Sequence, residues 1–274
     1  MAADGRTRLE VWGDPIAHSK SPLLHEAAYR VLGLDWSYER RQVDAAGFDA
    51  AFTGLDASWR GLSTTMPLKE SAHRVADRLD RHAQLTGAVN TLVLGVGIAG
   101  YNTDVGGIID AFAGADVTGI RSARVLGAGA TAASAVVAAA EMGARQVEVR
   151  ARRPERAGAL MTLGSALGID VDVTVFETSA APVDATIATL PSGTVLDETV
   201  AGPLAADGGV LLDAAYAPWP SALASSWEAF TVISGLEMLL GQAVRQVRAF
   251  VNGDPLAVLD DEDAVRTAMR AALG

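Results

Sequence analysis

The chain of 274 residues contains no cysteine. A protein without cysteine has no disulfide framework, no thiol nucleophile and no cysteine-bound metal. Histidine is also scarce, at four residues, and no two histidines combine metal-ligand spacing with a neighbouring carboxylate. We therefore predict that the protein holds no metal. His25, His73 and His82 are interpreted as ordinary residues on helix surfaces.

Positive charge is the minority sign, since 22 lysines and arginines stand against 33 aspartates and glutamates, a net charge of −11. An acidic chain without a long basic run is poorly suited to binding nucleic acid or an anionic membrane. We expect no partner of either kind. A small anionic ligand needs only a local site and stays compatible with this composition.

Long hydrophobic runs are missing too. The longest uncharged apolar stretch, residues 125–140, contains a glycine turn and is too short to cross a bilayer. The first ten residues are polar and charged, unlike a signal peptide. The composition predicts a soluble cytoplasmic protein, and the length allows two modest domains.

Residues 122–153 carry the clearest motif: a short strand, a glycine turn, an alanine-rich helix and a second strand. This is the G-x-G-x-x-A form of the dinucleotide-binding fingerprint. The first glycine would allow the tight turn, and the second would allow a pyrophosphate to approach the helix N-terminus. The alternative is a chance turn of small residues. The predicted cofactor contacts are Gly127, Ala128, Gly129, Ala130, Thr131 and Ala132.

The end of the second strand indicates which dinucleotide would bind. An acidic residue there holds the ribose 2′-hydroxyl of NAD, whereas a cation suits the 2′-phosphate of NADP. The sequence has Arg152 and Arg153 at this point and no acid. The guanidinium fork matches a phosphate, so the pattern favours NADP over NAD. The alternative is a solvated basic patch at a helix start.

Three further places combine polar side chains with a strand end or a helix start. Ser19 and Ser21 lie at a helix N-terminus, where they could seat a carboxylate, or Ser21 could only cap the helix. Lys69 follows a strand and opens a helix, a position open to both a functional and a plain surface lysine. Asp104 either caps the next helix or faces a substrate.

The rest of the chain alternates strands with helices, which predicts an α/β fold with largely parallel sheets. The other predicted strands cover residues 9–12, 36–43, 61–65, 88–94, 98–101, 171–176, 185–189, 209–213 and 231–234. A hairpin turn is predicted at residues 95–97. The other predicted helices start at residue 66 or cover residues 21–33, 44–52, 105–112, 154–167, 235–251 and 261–273.

Taken together, five separated motifs resemble the shikimate dehydrogenases and occur in that family's order. They are GDPIAHSKSP at 13–22, STTMPLK at 63–69, GAVNT at 87–91, NTD at 102–104 and GAGATA at 127–132. Residues 235–238, with Gln242, are similar to the family's C-terminal helix motif.

This resemblance implies an activity and an architecture. The family reduces 3-dehydroshikimate to shikimate with NADPH, reversibly, in the pathway to chorismate and the aromatic amino acids. The implied fold is an α/β substrate-binding domain at residues 1–103 and 236–274 and a Rossmann-like NADP-binding domain at 104–235. NADP(H) is the implied cofactor and shikimate or 3-dehydroshikimate the implied ligand. A monomer and a homodimer both stay open.

The resemblance also implies roles for individual residues. Lys69 and Asp104 match the catalytic pair, which relays a proton. Residues that match substrate contacts are Ser19 and Ser21 for the carboxylate, Tyr216 near it, and Thr65, Asn90 and Gln242 for the hydroxyls. Residues that match cofactor contacts are the 127–132 turn, Arg152 and Arg153 at the 2′-phosphate, and Met238 near the nicotinamide.

The sequence departs from the family pattern in three places. Ser63 stands where many members have asparagine, which implies a shorter substrate contact; Ala188–Pro191 replaces the commoner Asn-x-Thr; and Thr131 replaces a small residue. Two alternatives stay open. One is a quinate/shikimate dehydrogenase with relaxed substrate choice or NAD use, and the other is a non-catalytic paralogue that binds a shikimate-like ligand.

Overall fold

The computed structural model describes residues 7–274, which form two compact units. The first contains the described residues up to Thr103 together with Gln242–Gly274, and the second is Asp104–Gly241. The chain re-enters the first unit inside a continuous helix, a few residues after the boundary at 236 expected from the sequence. In the part of the chain that is described, every helix is too short or too polar to span a membrane.

Strands and helices alternate through both units. The strands are β1 (Thr7–Gly13), β2 (Trp36–Gln42), β3 (Trp59–Thr64), β4 (Arg78–Leu79), β5 (Thr91–Val93), β6 (Ala99–Tyr101), β7 (Ser122–Leu126), β8 (Gln146–Arg150), β9 (Asp170–Thr174), β10 (Ala185–Ala188), β11 (Val210–Asp213) and β12 (Val232–Ser234). The helices are α1 (Ser21–Val31), α2 (Phe48–Thr53), α3 (Lys69–Val75), α4 (Arg81–Thr86), α5 (Asp104–Ala113), α6 (Ala130–Glu141), α7 (Gly158–Leu167), α8 (Glu198–Ala206), α9 (Ala222–Ser225), α10 (Gly235–Asn252) and α11 (Glu262–Ala271).

The sheet of the first unit has the strand order β2-β1-β3-β5-β6-β4. Strands β2 and β3 run parallel to β1, whereas β5 runs antiparallel to both β3 and β6. The expectation of a largely parallel sheet is confirmed, since β4 pairs parallel to β6 and, among the described residues, β5 is the one strand of this sheet that runs against the others. The predicted hairpin at 95–97 forms and places β5 between β3 and β6. As a result β5 begins at the edge where β3 ends, with Thr91 opposite Ser63.

One face of this sheet is covered by a buried apolar cluster that anchors the strand ends. Trp12, Leu62 and Leu92 project into it from three neighbouring strands, and Phe48 and Leu68 close it from the connecting segments. Burying a large apolar side chain stabilises a fold by roughly 1.5–3 kcal/mol. The cluster therefore fixes the segments that follow β1 and β3.

The sheet of the second unit is parallel throughout, in the order β12-β11-β10-β7-β8-β9. Counted from β7 as the first strand, this is the 3-2-1-4-5-6 order of a Rossmann fold, so that prediction is confirmed. In such sheets ligands bind where the strand order reverses, outside the carboxyl ends of the strands. Here that point lies between β7 and β10.

Several element boundaries differ from those expected. α3 begins at Lys69 instead of residue 66, because residues 65–68 form a turn closed by the Leu68 N–H and the Thr65 carbonyl at 2.7 Å. The 154–167 helix is split into a short 3₁₀ turn and α7. α8 was not predicted, since Gly202 and Pro203 inside it are poor helix formers.

Two arginines are fully buried under the second sheet and share one carboxylate. The Nε of Arg124 donates to Glu148 at 2.6 Å, and the Nη2 of Arg150 donates to the other oxygen of Glu148 at 2.7 Å. Arg150 also donates to the carbonyls of Val175, Phe176, Thr178 and Ser179. The group thus fastens the segment after β9 beneath the sheet.

We predict that Glu148→Gln destabilises the protein by about 3 kcal/mol, because it leaves two buried guanidinium groups without a carboxylate. Urea unfolding at neutral pH measures the change in the free energy of unfolding. The matched control is Asp172→Asn, the same loss of charge at an exposed residue opposite Glu148 on β9. Equal effects of the two substitutions would contradict a stabilising role for the buried group.

Candidate active site

In the first unit, the carboxyl ends of β1 and β3 meet the start of β5 at one edge of the sheet. The Thr65 N–H donates to the Trp12 carbonyl at 2.9 Å, and the Asp14 N–H donates to the Met66 carbonyl at 3.0 Å. The Thr64 N–H donates to the Asn90 carbonyl at 2.9 Å. These bonds hold three chain segments side by side.

Lys69 is fixed at this edge by its own backbone. It is the first residue of α3, and its carbonyl accepts a hydrogen bond from the Val89 N–H at 3.0 Å. Leu68, directly before it, is fully buried in the apolar cluster. The start of α3 is therefore held next to Val89, and the backbone segments that carry Thr65, Lys69 and Asn90 adjoin at this edge.

Ser19 and Ser21 lie at the start of α1. The prediction that Ser21 caps this helix is wrong, because Ser21 is already its first residue and Lys20 takes the cap position. The hydroxyl of Ser19 instead accepts a hydrogen bond from the Ser21 N–H at 3.3 Å. Arg40, which sequence reasoning missed, donates from β2 to the carbonyls of Ala17 and Ser19 and holds this loop.

The side chain of Asn90 is buried and its amide oxygen is used by the protein. Oδ1 accepts from the Thr91 hydroxyl at 2.8 Å, the Thr103 N–H at 2.9 Å and the Thr103 hydroxyl at 3.1 Å. Nδ2 donates to the Thr103 hydroxyl oxygen at 2.9 Å. The Thr91 hydroxyl and the Thr103 N–H thus use the two lone pairs of Oδ1, which orients the amide with its oxygen toward these two groups.

Gln246 supports Asn90 from helix α10, one turn after the predicted Gln242. Its Nε2 donates to the Asn90 carbonyl and to the Thr91 hydroxyl oxygen, both at 3.1 Å. Its Oε1 accepts from the Ser63 hydroxyl and pairs with His25 Nε2, both at 3.1 Å. Sequence reasoning missed Gln246, although its spacing of four residues from Gln242 puts both on one helix face.

His25 is fully buried, which corrects its interpretation as a helix-surface residue. Its ring stacks on Tyr38 with a centroid distance of 3.9 Å, and its Nδ1 lies 3.1 Å from the hydroxyl of Tyr29. Burial lowers the pKa of His25 to about 3, against a smaller opposing effect of Gln246. Its spacing of four residues from Tyr29, on a helix face with buried Leu24 and Ala28, was the available signal.

Ser63, the expected shorter substrate contact, is buried beside this group. Its hydroxyl accepts from Tyr38 at 2.7 Å and donates to Gln246 at 3.1 Å. Both hydrogen bonds lie inside the protein. Ser63, at the position where many family members have asparagine, thus holds the side chain of Gln246 by a hydrogen bond.

In the second unit, the glycine turn connects β7 to α6. Gly127 has a φ of +112°, and an added Cβ would meet the Thr189 hydroxyl at 2.5 Å. Gly129 takes the cap position of α6 without a side-chain cap, and an added Cβ there would meet nothing within 4 Å. The fold requires glycine at 127 but not at 129. The open space at Gly129, before the amides of α6, fits an approaching pyrophosphate.

Thr189, in the segment that departs from the family pattern, fixes this turn. Its N–H and hydroxyl both donate to the Leu126 carbonyl, at 2.8 and 2.9 Å.

Arg152 and Arg153 follow β8 and are exposed, so both are accessible to a phosphate. Among the other turn residues, Thr131 is half-buried and Ala132 is fully buried.

Three more predicted residues lie in the second unit. Asp104 is the buried first residue of α5, and Met238 is buried on α10. Tyr216 is half-buried, which raises the pKa of its hydroxyl. It follows Asp213, whose carboxylate accepts from the Ser221 hydroxyl at 2.5 Å and the Ala215 N–H at 3.0 Å.

Within residues 7–274, no group of three or more histidine, aspartate or glutamate side chains is arranged to bind a metal ion.

Comparison with known proteins gives consistent matches. Residues 11–92 match the model of the shikimate dehydrogenase substrate binding domain. A shikimate dehydrogenase (NADP(+)) of Methanothermobacter thermautotrophicus is 35% identical over 273 residues, 94% of this chain and 96% of the relative.

Solved structures match over both units. The crystal structure of Mycobacterium tuberculosis shikimate dehydrogenase is 39% identical with a TM-score of 0.85, and the match covers 97% of this chain and 99% of that one. The Thermus thermophilus shikimate 5-dehydrogenase, in complex with NADP(H) and shikimate, is 28% identical with a TM-score of 0.80 and the same coverage of both chains.

The lowered pKa of His25 predicts a pH-dependent stability. The unfolded chain binds a proton at His25 below about pH 6.5, whereas the folded protein resists it down to about 3. The contribution of neutral, buried His25 to the free energy of unfolding is therefore fully present above pH 6.5 and is lost as the pH falls toward 3. Between pH 7 and pH 5 we expect His25 alone to reduce the free energy of unfolding by about 2 kcal/mol.

Urea unfolding of the wild type and His25→Gln at both pH values measures this, since the variant lacks the titrating group. The variant should lose about 2 kcal/mol less than the wild type over this range. His73→Gln, at a half-buried histidine on α3, is the control. An identical pH dependence in the wild type and His25→Gln would show that the prediction is wrong.

Proposed function

The chain belongs to the shikimate dehydrogenase family, and we propose that it catalyses the reversible NADPH-dependent reduction of 3-dehydroshikimate to shikimate. It is thus an oxidoreductase of the shikimate pathway. The observation that carries the proposal is that the backbone segments carrying Thr65, Lys69 and Asn90 adjoin at one sheet edge. An ammonium, a hydroxyl and an amide on adjoining segments suit a polyhydroxylated ketone.

The substrate residues divide into two proposed groups. Ser19 and Ser21 bind the carboxylate, with Tyr216 near it, and the hydroxyl of Ser19 and the start of α1 offer the polar surroundings that a carboxylate needs. Thr65, Asn90 and Gln242 bind the substrate hydroxyls. Hydroxyls both donate and accept hydrogen bonds, so the threonine and the two amides suit them.

Lys69 and Asp104 are the proposed catalytic pair. Reduction of the ketone leaves a developing alkoxide, which needs a proton or a nearby positive charge. The Lys69 ammonium supplies both, and the Asp104 carboxylate orients it and shares the proton. The anchoring of Lys69 through its carbonyl and through buried Leu68 supports this assignment, because a proton donor must be held in place.

The residues of the second unit fit the cofactor. NADP(H), when bound, supplies or accepts the hydride. The amides of the 127–132 turn would hold its pyrophosphate, and Met238 would pack beside the nicotinamide. Arg152 and Arg153 would hold its 2′-phosphate; both are exposed after β8, where an NAD enzyme commonly has an acid. This supports NADP over NAD.

A cytoplasmic location, predicted from the composition, stays a prediction. The oligomeric state is open between a monomer and a homodimer.

We predict that Gly129→Ala weakens NADP⁺ binding by tenfold or more, on the order of 1.4 kcal/mol, while the loss of stability stays below about 1 kcal/mol, the cost of alanine at a helix N-cap. The added methyl group meets no protein atom within 4 Å but occupies the space before α6. Gly127→Ala should instead destabilise the fold by about 1–3 kcal/mol through its positive φ and the clash with Thr189.

Titration calorimetry with NADP⁺ and urea unfolding of both variants separate the two effects. If Gly129→Ala unfolds as readily as Gly127→Ala but keeps its affinity for NADP⁺, the turn has only a structural role.

The test of the function is the absorbance of the reduced nicotinamide with purified protein, shikimate or quinate, and NADP⁺ or NAD⁺ in all four combinations. We expect turnover with shikimate and NADP⁺ to exceed the other three. Preference for NAD⁺ would contradict the role of Arg152 and Arg153, and preference for quinate would revise the substrate. Absence of turnover in every combination would contradict the proposed activity and favour a binding protein.

A further inference from the structure

Behind Asn90 lies a buried group of polar side chains that the proposed reaction does not use directly. Its members are Gln246, Thr91, Ser63 and His25, each at most 3% exposed. Polar groups this deeply buried are costly unless they are hydrogen-bonded, and apolar side chains would fill the same space. Packing alone therefore does not explain why these four buried residues are polar.

Each hydrogen bond of this group has a fixed donor and a fixed acceptor. Two backbone groups, the Asn90 carbonyl and the Thr103 N–H, determine which atom donates and which accepts. The Asn90 carbonyl can only accept, so the side of Gln246 that faces it must be the amide nitrogen Nε2. The acceptor Oε1 then faces Ser63 and His25, so the ring proton of His25 sits on Nε2 and its Nδ1 accepts from Tyr29.

The same logic continues to Asn90. Because Gln246 Nε2 donates to the Thr91 oxygen at 3.1 Å, the Thr91 hydroxyl is directed to donate onward, to Asn90 Oδ1 at 2.8 Å. The Thr103 N–H, which can only donate, reaches the same oxygen at 2.9 Å. An asparagine amide has nearly the same shape in both flipped orientations, so these donors select the orientation of Asn90.

We propose that Gln246 and Thr91 are positioning residues that lock the Asn90 amide with its oxygen toward the protein, so that the substrate meets Nδ2 as a hydrogen-bond donor. The inference rests on the proposed function, in which Asn90 contacts a substrate hydroxyl. It adds the direction of that hydrogen bond, in which Asn90 Nδ2 donates and the substrate oxygen accepts. It also names the residues that determine this direction.

Thr91→Val is the principal test, because valine keeps the volume of threonine but removes the hydroxyl that links Gln246 to Asn90. Gln246→Met breaks the same link from the other side, and Thr91→Ser restores the hydroxyl. Each change is made in the wild type and in Asn90→Ala, and kcat and KM for shikimate are measured with NADP⁺. Unfolding in urea is measured for every variant.

We expect Thr91→Val and Gln246→Met to lower kcat/KM by about tenfold in the wild-type background, the scale of one buried hydrogen bond. In the Asn90→Ala background they should change it by less than about twofold, because their effect passes through Asn90. Thr91→Ser should restore most of the activity. Equal losses in both backgrounds would overturn the proposal in favour of a general structural role.

A matched control is Thr64→Val, which removes another buried hydroxyl, one that donates to the Val89 carbonyl at 2.7 Å without touching the Asn90 side chain. It should cost similar stability but show the same small change of kcat/KM in both backgrounds.

Nuclear magnetic resonance of the Asn90 side-chain amide gives a readout without substrate. The signal is assigned by its loss in Asn90→Ala. We expect Thr91→Val and Gln246→Met to shift or broaden it, and Thr91→Ser and Thr64→Val to leave it unchanged. An unchanged signal in the first two variants would overturn the locking of Asn90. If the wild type does not turn over shikimate while the signals behave as expected, the proposed function fails and the locking stands.

Discussion

The Asn90 peptide carbonyl is the constraint on which the first unit's site depends. It accepts the Thr64 N–H from the neighbouring strand and the Gln246 amide from α10. The preceding N–H, of Val89, donates to the carbonyl of Lys69. One short stretch of backbone therefore connects β3, the start of α3 and the C-terminal part of the chain. This connection keeps a lysine, a threonine and an asparagine at one edge of the sheet.

Two kinds of interior support this stretch. The apolar cluster around Trp12, Leu62 and Leu68 supplies stability without direction, since apolar contacts are not oriented. The polar group around Gln246 supplies direction, because each of its hydrogen bonds has a donor and an acceptor. At the glycine turn of the second unit the fold requires Gly127, whereas the space around Gly129 is open.

Sequence reasoning reached much of the fold because the periodic pattern and the glycine turn are local signals. The βαβ unit of the Rossmann domain and the hairpin at 95–97 follow from such signals, whereas Thr65, Lys69 and Asn90 were grouped only through the family resemblance. It failed for His25, whose burial depends on contacts with Tyr38 and Gln246 that lie far away in sequence. It also gave no strand order for the first sheet, because the pairing of strands that are distant in sequence is not contained in any local pattern.

Lys69, held at this edge through its own carbonyl, is the proposed proton donor to the developing alkoxide. The most direct measurement compares kcat and the shikimate KM of Lys69→Ala with those of the wild type. With shikimate the reaction runs as the oxidation, in which Lys69 would take up the same proton. General acid–base catalysis contributes about 10²–10⁴-fold, so we predict a loss of that order in kcat with KM changed only a few-fold. A kcat near that of the wild type, or a loss confined to KM, would contradict the assignment of Lys69 as the proton donor.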